Sequence, residues 1–123
     1  MSVANFEWFP TGGGIPASAT ASGSGFVTLA TVTLGGGVAE NWLVKIRCLA
    51  WTGYTAATVA AAELDIIISY DGTNAHVGST VSASYTGTAE LNVTASANVV
   101  TFQAGGITNA AYSMMISAEV QAP

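Results

Sequence analysis

Charge is what this chain has least of, and its shortage already narrows the classes of function. Among 123 residues only 7% are charged, and just two of these are basic, Lys45 and Arg47. Affinity for nucleic acid depends on several cations that displace the counterions of the phosphates. Because the chain has seven acidic residues and a net charge of −5, we expect neither a nucleic-acid partner nor an anionic membrane partner.

Long apolar runs and paired cysteines are missing as well. No uninterrupted apolar stretch reaches the roughly 18 residues that are typical of a transmembrane helix. The first residues contain neither the basic nor the apolar segment of a signal peptide, so we expect the protein to be made and folded in a cytoplasm. Cys48 is the single cysteine and has no partner for a disulfide within the chain. It is therefore predicted to be a small buried apolar residue.

What the chain does contain is apolar and small polar residues in β-type patterns. Half of the residues are hydrophobic, which is enough for one core at this length. From residue 26 onwards, apolar and polar residues alternate in short runs that Gly and Asn turns separate. The pattern predicts an all-β fold, an antiparallel β-sandwich or jelly roll, over residues 26–123. The segment from Ala56 to Ala62 contains the best helix formers, and it predicts a loop or a single helical turn.

Residues 1–25 lack this alternation and predict an extended N-terminal arm. Three aromatic residues, Phe6, Trp8 and Phe9, cluster near its start, ahead of a triple glycine and a run of Ala, Ser, Thr and Gly. Aromatic side chains are common anchors at the centres of protein interfaces. Two alternatives are open: the arm packs on its own domain, or the aromatic cluster binds a neighbouring subunit. We predict that Phe6, Trp8 and Phe9 bind a partner.

Side chains suited to catalysis or metal binding are sparse. His76 is the single histidine, and it lies beside a turn predicted at Asp71. A Ser-His-Asp arrangement has no nucleophile motif to support it. Glu63 and Asp65 share a strand face and, with Asp71 and Asn74, offer oxygen ligands for Ca²⁺, but the spacing is not that of an EF-hand. A solvated strand face and a hairpin turn are favoured, so we predict no catalytic residue, no cofactor and no metal.

Two further groups of residues allow alternative interpretations. Lys45 and Arg47 lie two apart on one predicted strand, and they can pair with acidic residues of another copy or of an adjacent strand. Trp42, Trp51 and Tyr54 would provide stacking platforms for a sugar if they lie on an exposed face. A tryptophan in an apolar strand is more often part of a core.

Several features together resemble a known class of protein. They are the Met-Ser start, the aromatic and then Gly/Ser-rich segment from Phe6 to Gly25, the scarcity of Lys and Arg, and the closing segment, Asn98 to Phe102 and then Ala111 to Ile116. In these respects the chain resembles small tailed-phage virion proteins, especially capsid decoration (cement) proteins and short head or tail accessory proteins. The resemblance implies a β-sandwich or jelly-roll subunit, often a trimer, that binds a capsid lattice.

The sequence therefore predicts a non-enzymatic virion structural protein. The favoured role is a capsid decoration protein that forms a homo-oligomer and binds the major capsid protein or another virion protein. Two alternatives stay open: a tail or fibre component, and a carbohydrate-binding β-sandwich module. The predicted location is the virion, after synthesis in the host cytoplasm.

Overall fold

A computed structural model of the chain describes residues 4–7, 9, 14–35 and 38–120, and for residues 4–7 and Val120 it describes the backbone alone. Within these ranges the chain forms nine strands and one 3-10 turn. In chain order they are β1 (Ala4–Glu7), β2 (Ile15–Thr20), β3 (Val27–Thr33), β4 (Glu40–Trp51), the 3-10 turn (Ala56–Thr58), β5 (Val59–Tyr70), β6 (Ala75–Tyr85), β7 (Glu90–Ser96), β8 (Val99–Gly105) and β9 (Ala111–Val120).

The strands are arranged in two sheets that pack face to face. The four-stranded sheet has the order β1-β3-β8-β7, and the five-stranded sheet has the order β2-β9-β4-β5-β6. Neighbouring strands are antiparallel except for β1, which runs parallel to β3. The prediction of an all-β sandwich is confirmed.

The core lies between the sheets because side chains alternate along each strand. In β4 and β5, buried and more accessible residues alternate over 12 residues each, as expected when one face of a strand is covered. The same holds for β9. The largest fully buried side chains include Trp42, Tyr112, Phe102, Ile15 and Leu29. In β4, the alternating apolar residues Trp42, Val44, Ile46 and Cys48 all face the core.

The structure differs from the predicted division of the chain into an arm and a domain. Two segments of residues 1–25 are strands of the domain's own sheets: β1 pairs with β3, and β2 pairs with β9. Ile15, Ala17 and Ala19 alternate with exposed residues along β2 and are buried in the core. The pattern is difficult to recognise in the sequence because two of its three inward residues are alanines.

The connections agree with the predicted turns in most places. Ala97 adopts a positive φ of 51° in the tight turn between β7 and β8, one of the turns that separate the alternating runs. The helical turn predicted within Ala56 to Ala62 is present but short, since β5 already begins at Val59. In β6, two register shifts against β5 interrupt the alternation. Val81 and Tyr85, which strict alternation would place on one apolar face of this strand, are exposed.

Candidate functional site: the outer face of the five-stranded sheet

The outer face of the five-stranded sheet, the side turned away from the core, brings together much of the chain's unusual chemistry. Strand register aligns its residues in rows that cross the sheet. We use the term outer face for these rows, which are Thr20–Ala111–Trp51–Val59, Ser18–Ser113–Leu49–Ala61, Pro16–Met115–Arg47–Glu63, Ser117–Lys45–Asp65 and Glu119–Leu43–Ile67.

A shallow groove of about 720 Å³ crosses the outer face from β2 to β5. Leu49 stands in the middle of it with half of its surface accessible, at 50%. Its neighbours on both sides are small, Ser113 on β9 and Ala61 on β5. Met115 and Pro16 add apolar surface in the next row. The groove lies over the small side chains of Ser18, Ser113 and Ala61, and the larger side chains of Leu49, Arg47 and Met115 rise beside them.

Both basic residues of the chain lie on the outer face. Arg47 Nε is 3.2 Å from Glu63 Oε1 across the β4–β5 pair, and both side chains are largely accessible to solvent. Lys45 is opposite Asp65 in the same pair of strands, and the Asp65 carboxylate accepts a hydrogen bond from Ser82 at 3.1 Å. Exposed ion pairs of this kind contribute about 0.2–1 kcal/mol. For Arg47, the adjacent-strand alternative predicted from the sequence is the one that the structure contains.

One end of the outer face continues into an apolar cavity of about 470 Å³ at the β4–β5 connection. Trp51, Val59 and Leu49 line it together with Tyr54, whose side chain is 95% exposed. The connection is held by the Thr55–Thr58 turn, in which the backbone N–H of Thr58 donates to the Thr55 carbonyl at 2.9 Å. Its lining offers few hydrogen-bonding groups, and an apolar partner surface suits it better than a sugar does.

The predicted turn at Asp71 forms a separate polar cluster between β5 and β6. The backbone N–H groups of Thr73 and Asn74 donate to Asp71 Oδ1 at 2.8 and 2.7 Å. His76 Nε2 lies 2.8 Å from Asp71 Oδ2. The Asn74 N–H above all, then His76 and Thr73, lower the pKa of the Asp71 carboxyl to about 2. The cluster shapes a hairpin turn. Ser69 lies opposite His76 in the β5–β6 pairing, but among the described residues the side-chain hydrogen bond of the imidazole is to Asp71.

Cys48 lies on the opposite side of β4 from Arg47 and Leu49 and is buried. Burial raises the pKa of its thiol to about 11, against a smaller opposing effect of a hydrogen bond from the Ser113 backbone. A thiol that stays protonated is a poor nucleophile and a poor metal ligand. In the part of the chain that the structure describes, no group of three His, Cys, Asp or Glu side chains is placed to hold a metal ion.

The residues suggested as Ca²⁺ ligands do not converge. Glu63 pairs with Arg47 near the middle of β5, whereas Asp71 lies beyond the end of that strand. Asp65 lies between them along the strand and interacts with Ser82. The solvated strand face and hairpin turn that the sequence favours correspond to this arrangement.

The predicted partner-binding residues have different positions. Phe9 is 3% exposed, and its ring centroid lies 5.1 Å from that of Trp42 on β4 and 6.2 Å from that of Phe102 on β8. Phe9 thus joins the two sheets inside the core, because a large apolar ring gains most from full burial, and it is not accessible to a partner. Phe6 belongs to β1, with its backbone alone described, and Trp8 lies outside the described residues.

Sequence reasoning missed the groove itself. Part of its signal is in the sequence: some strands have apolar residues at outward as well as inward positions, and Leu49 and Met115 are the clearest cases. The sequence places Pro16 in the predicted arm, which hides the contribution of β2.

Within the described residues, no helix has the length and apolar character needed to cross a membrane.

Comparison with known proteins gives one informative likeness. No protein-family model and no curated protein matches the chain. Its structure is similar to part of the tailspike protein of Acinetobacter phage vB_ApiP_P1, with a TM-score of 0.53 and 15% sequence identity. The two share a fold. The match covers 88% of this chain and 22% of the tailspike chain, so this chain spans about a fifth of that protein's length.

Proposed function

We propose that this chain is a non-enzymatic structural subunit of a phage particle that works as a homo-oligomer. The observation that carries the proposal is the β-sandwich itself, which is similar in fold to part of a phage tailspike protein. The composition supports it, since a chain with only 7% charged residues has too little charge for the surface of an isolated soluble monomer. Subunits that are covered by neighbours need fewer surface charges.

The position in the particle is the finer part of the proposal. The capsid decoration role rests on the composition of the chain and on the rhythm of its sequence. The tail or fibre alternative gains support from the tailspike likeness, which extends over most of this chain. Both positions require the same property, namely attachment of the chain to another virion protein through apolar surface.

The carbohydrate-binding alternative has less support. Trp42 is almost fully buried and is unable to stack on a ligand. Trp51 and Tyr54 remain accessible, but the cavity beside them is lined mainly by the apolar side chains of Leu49, Val59 and Ala56. A saccharide needs hydrogen-bond partners for its hydroxyl groups as well as a stacking surface. We therefore propose protein contact at this corner.

The test is to locate the chain in particles purified from the phage or prophage whose genome encodes it. We expect mass spectrometry of gradient-purified particles to find the chain at a fixed number of copies per particle. Immunogold labelling with antibodies raised against the purified chain should then mark one region, the head surface for decoration or the tail tip for a tail component. Antibody preabsorbed with the chain serves as the control. Particles that contain less than one copy each would overturn the proposal.

A further inference from the structure

We infer that two copies of this chain pack face to face through the outer face of the five-stranded sheet, related by a two-fold axis that runs parallel to the strands between β4 and β5. This inference deepens the proposed function, on which it rests for the expectation that the chain acts as a homo-oligomer. Beyond that expectation, the inference names the surface, the symmetry and the residue contacts of the dimer.

Apolar surface is the first argument. Val59, Leu49 and Met115 are substantially exposed in three successive rows on neighbouring strands of this face, and Ile67 is exposed beyond the two charged rows. Single exposed apolar residues are ordinary on monomers, whereas adjoining ones such as Val59, Leu49 and Met115 mark an interaction site.

Charge complementarity identifies the partner as a second copy. The chain has two basic residues in total, and both lie on the outer face together with three of its seven acidic residues, Glu63, Asp65 and Glu119. Elsewhere among the described residues, the acidic side chains are those of Glu40, Asp71 and Glu90, and no Lys or Arg accompanies them. In a symmetric dimer, only the outer face can therefore match Lys or Arg of one copy with Asp or Glu of the other.

The register makes the match specific. A two-fold axis between β4 and β5 exchanges the two strands, so each β4 residue lies opposite the residue with which it pairs within its own sheet. Arg47 then meets Glu63 of the second copy, and Lys45 meets Asp65 of the second copy. By the same rotation, Leu49 in the next row faces the small Ala61 of the second copy. An isologous interface requires this self-complementarity of one patch.

The face is large enough for a stable dimer. With the axis between β4 and β5, β9 lies opposite β6 of the second copy and β2 lies beyond the overlap, so four strands take part. Strands of 10 to 12 residues extend about 37 Å at roughly 3.3 Å per residue, and four strands cover about 19 Å at about 4.8 Å each. The footprint is therefore on the order of 700 Å² per copy, close to the standard size of a specific interface.

The outer face of the other sheet offers a contrast. There, Asn92 donates to Gln103 at 2.9 Å, and Gln103 donates to Thr28 at 3.1 Å, across three adjacent strands. Thr31, Thr101 and Thr94 form the next row. This surface is polar and satisfies part of its own hydrogen-bonding capacity, and it suits contact with solvent better than an apolar docking surface would.

The decisive experiment uses two charge variants of the full chain, K45E/R47E and E63K/D65K. Alone, each presents like charges to its own copy across the axis. We expect each to sediment as a monomer at concentrations where the wild-type chain is a dimer. Mixed in equal amounts, the two variants should form a heterodimer. Positions 45, 47, 63 and 65 are all acidic in K45E/R47E and all basic in E63K/D65K, so opposite charges meet across the axis. Circular dichroism of each variant confirms that the fold is retained.

A single substitution tests the apolar part of the face, and a matched control adds the same charge elsewhere. Leu49→Asp changes a half-exposed residue in the groove, and we expect at least a tenfold increase in the dimer dissociation constant. The matched control, Thr94→Asp, adds the same acid to the outer face of the four-stranded sheet and should leave dimerisation unchanged. A wild-type chain that remains monomeric at about 100 μM, or a Leu49→Asp variant as dimeric as wild type, would overturn the inference.

The outcomes also separate this inference from the proposed function. A chain that is present in particles but monomeric in solution, and that loses particle attachment on Leu49→Asp, would refute the second copy as the occupant and leave the virion role intact. A chain that dimerises as described but is absent from particles would refute the virion role alone.

Discussion

Phe9 provides the sharpest test of how the first residues of this chain are used. Its ring is 3% exposed and lies between Trp42 of one sheet and Phe102 of the other. Truncation of such a phenylalanine to alanine removes its burial and leaves a cavity, and it costs about 3–5 kcal/mol of unfolding free energy. At about 2.1 cal/mol/K per residue, a chain of 123 residues loses roughly 4 °C of Tm per kcal/mol.

We therefore expect Phe9→Ala to lower the Tm by about 12–19 °C in a thermal melt followed by circular dichroism. The matched control is Phe26→Ala, since Phe26 also lies outside the strands but is 45% exposed. Its truncation should cost less than about 1 kcal/mol. Both variants are measured at one protein concentration, because association shifts Tm. Equal losses for the two variants would refute the core position of Phe9 and restore it as a candidate for partner binding.

Three further predictions concern single residues. Asp71→Ala should lower the free energy of unfolding at neutral pH but hardly at pH 2. The pKa of the Asp71 carboxyl is lowered mainly by the Asn74 N–H, so the ionised carboxylate stabilises the fold above about pH 4, and this stability is lost as the pH falls towards 2. Denaturant melts across this pH range measure the effect. Cys48, with its pKa raised to about 11 by burial, should resist a thiol reagent at pH 8 until denaturant is added. Gly106→Ala should lower the free energy of unfolding by more than about 2 kcal/mol, since the φ of Gly106 is +97° and a Cβ there would collide with a backbone carbonyl. Gly23→Ala is the control, because a Cβ at Gly23 meets open space, and it should be nearly neutral in the same melts.

The parts of the fold that sequence reasoning predicted are those where alternation is strong. In β4, large apolar residues at every second position, from Trp42 to Ile46, leave little choice about which face is buried. The 3-10 turn and the turn at Ala97 were also within reach, because their residues have clear local preferences.

The parts that were missed depend on partners far away in the chain. The inward residues of β2 include two alanines, whose burial is decided by the distant strand β9 rather than by their own hydrophobicity. In β6 the two register shifts break the period on which the predicted face depended. The groove follows from how rows of four strands align, and neither the hydropathy nor the spacing of any one strand contains that information.

The order of strands in the five-stranded sheet has a consequence for how the protein is made. β9 lies between β2 and β4, yet it is synthesised after every other strand that the structure describes. Ile15 must therefore wait for Ile116 to emerge from the ribosome before the two can pair. Until then β4 exposes one unpaired edge of backbone N–H and C=O groups, a template for wrong pairing. Chains with such non-local pairings fold slowly, so the five-stranded sheet is completed only once β9 has been made, and the risk of aggregation is greatest before β9 is added.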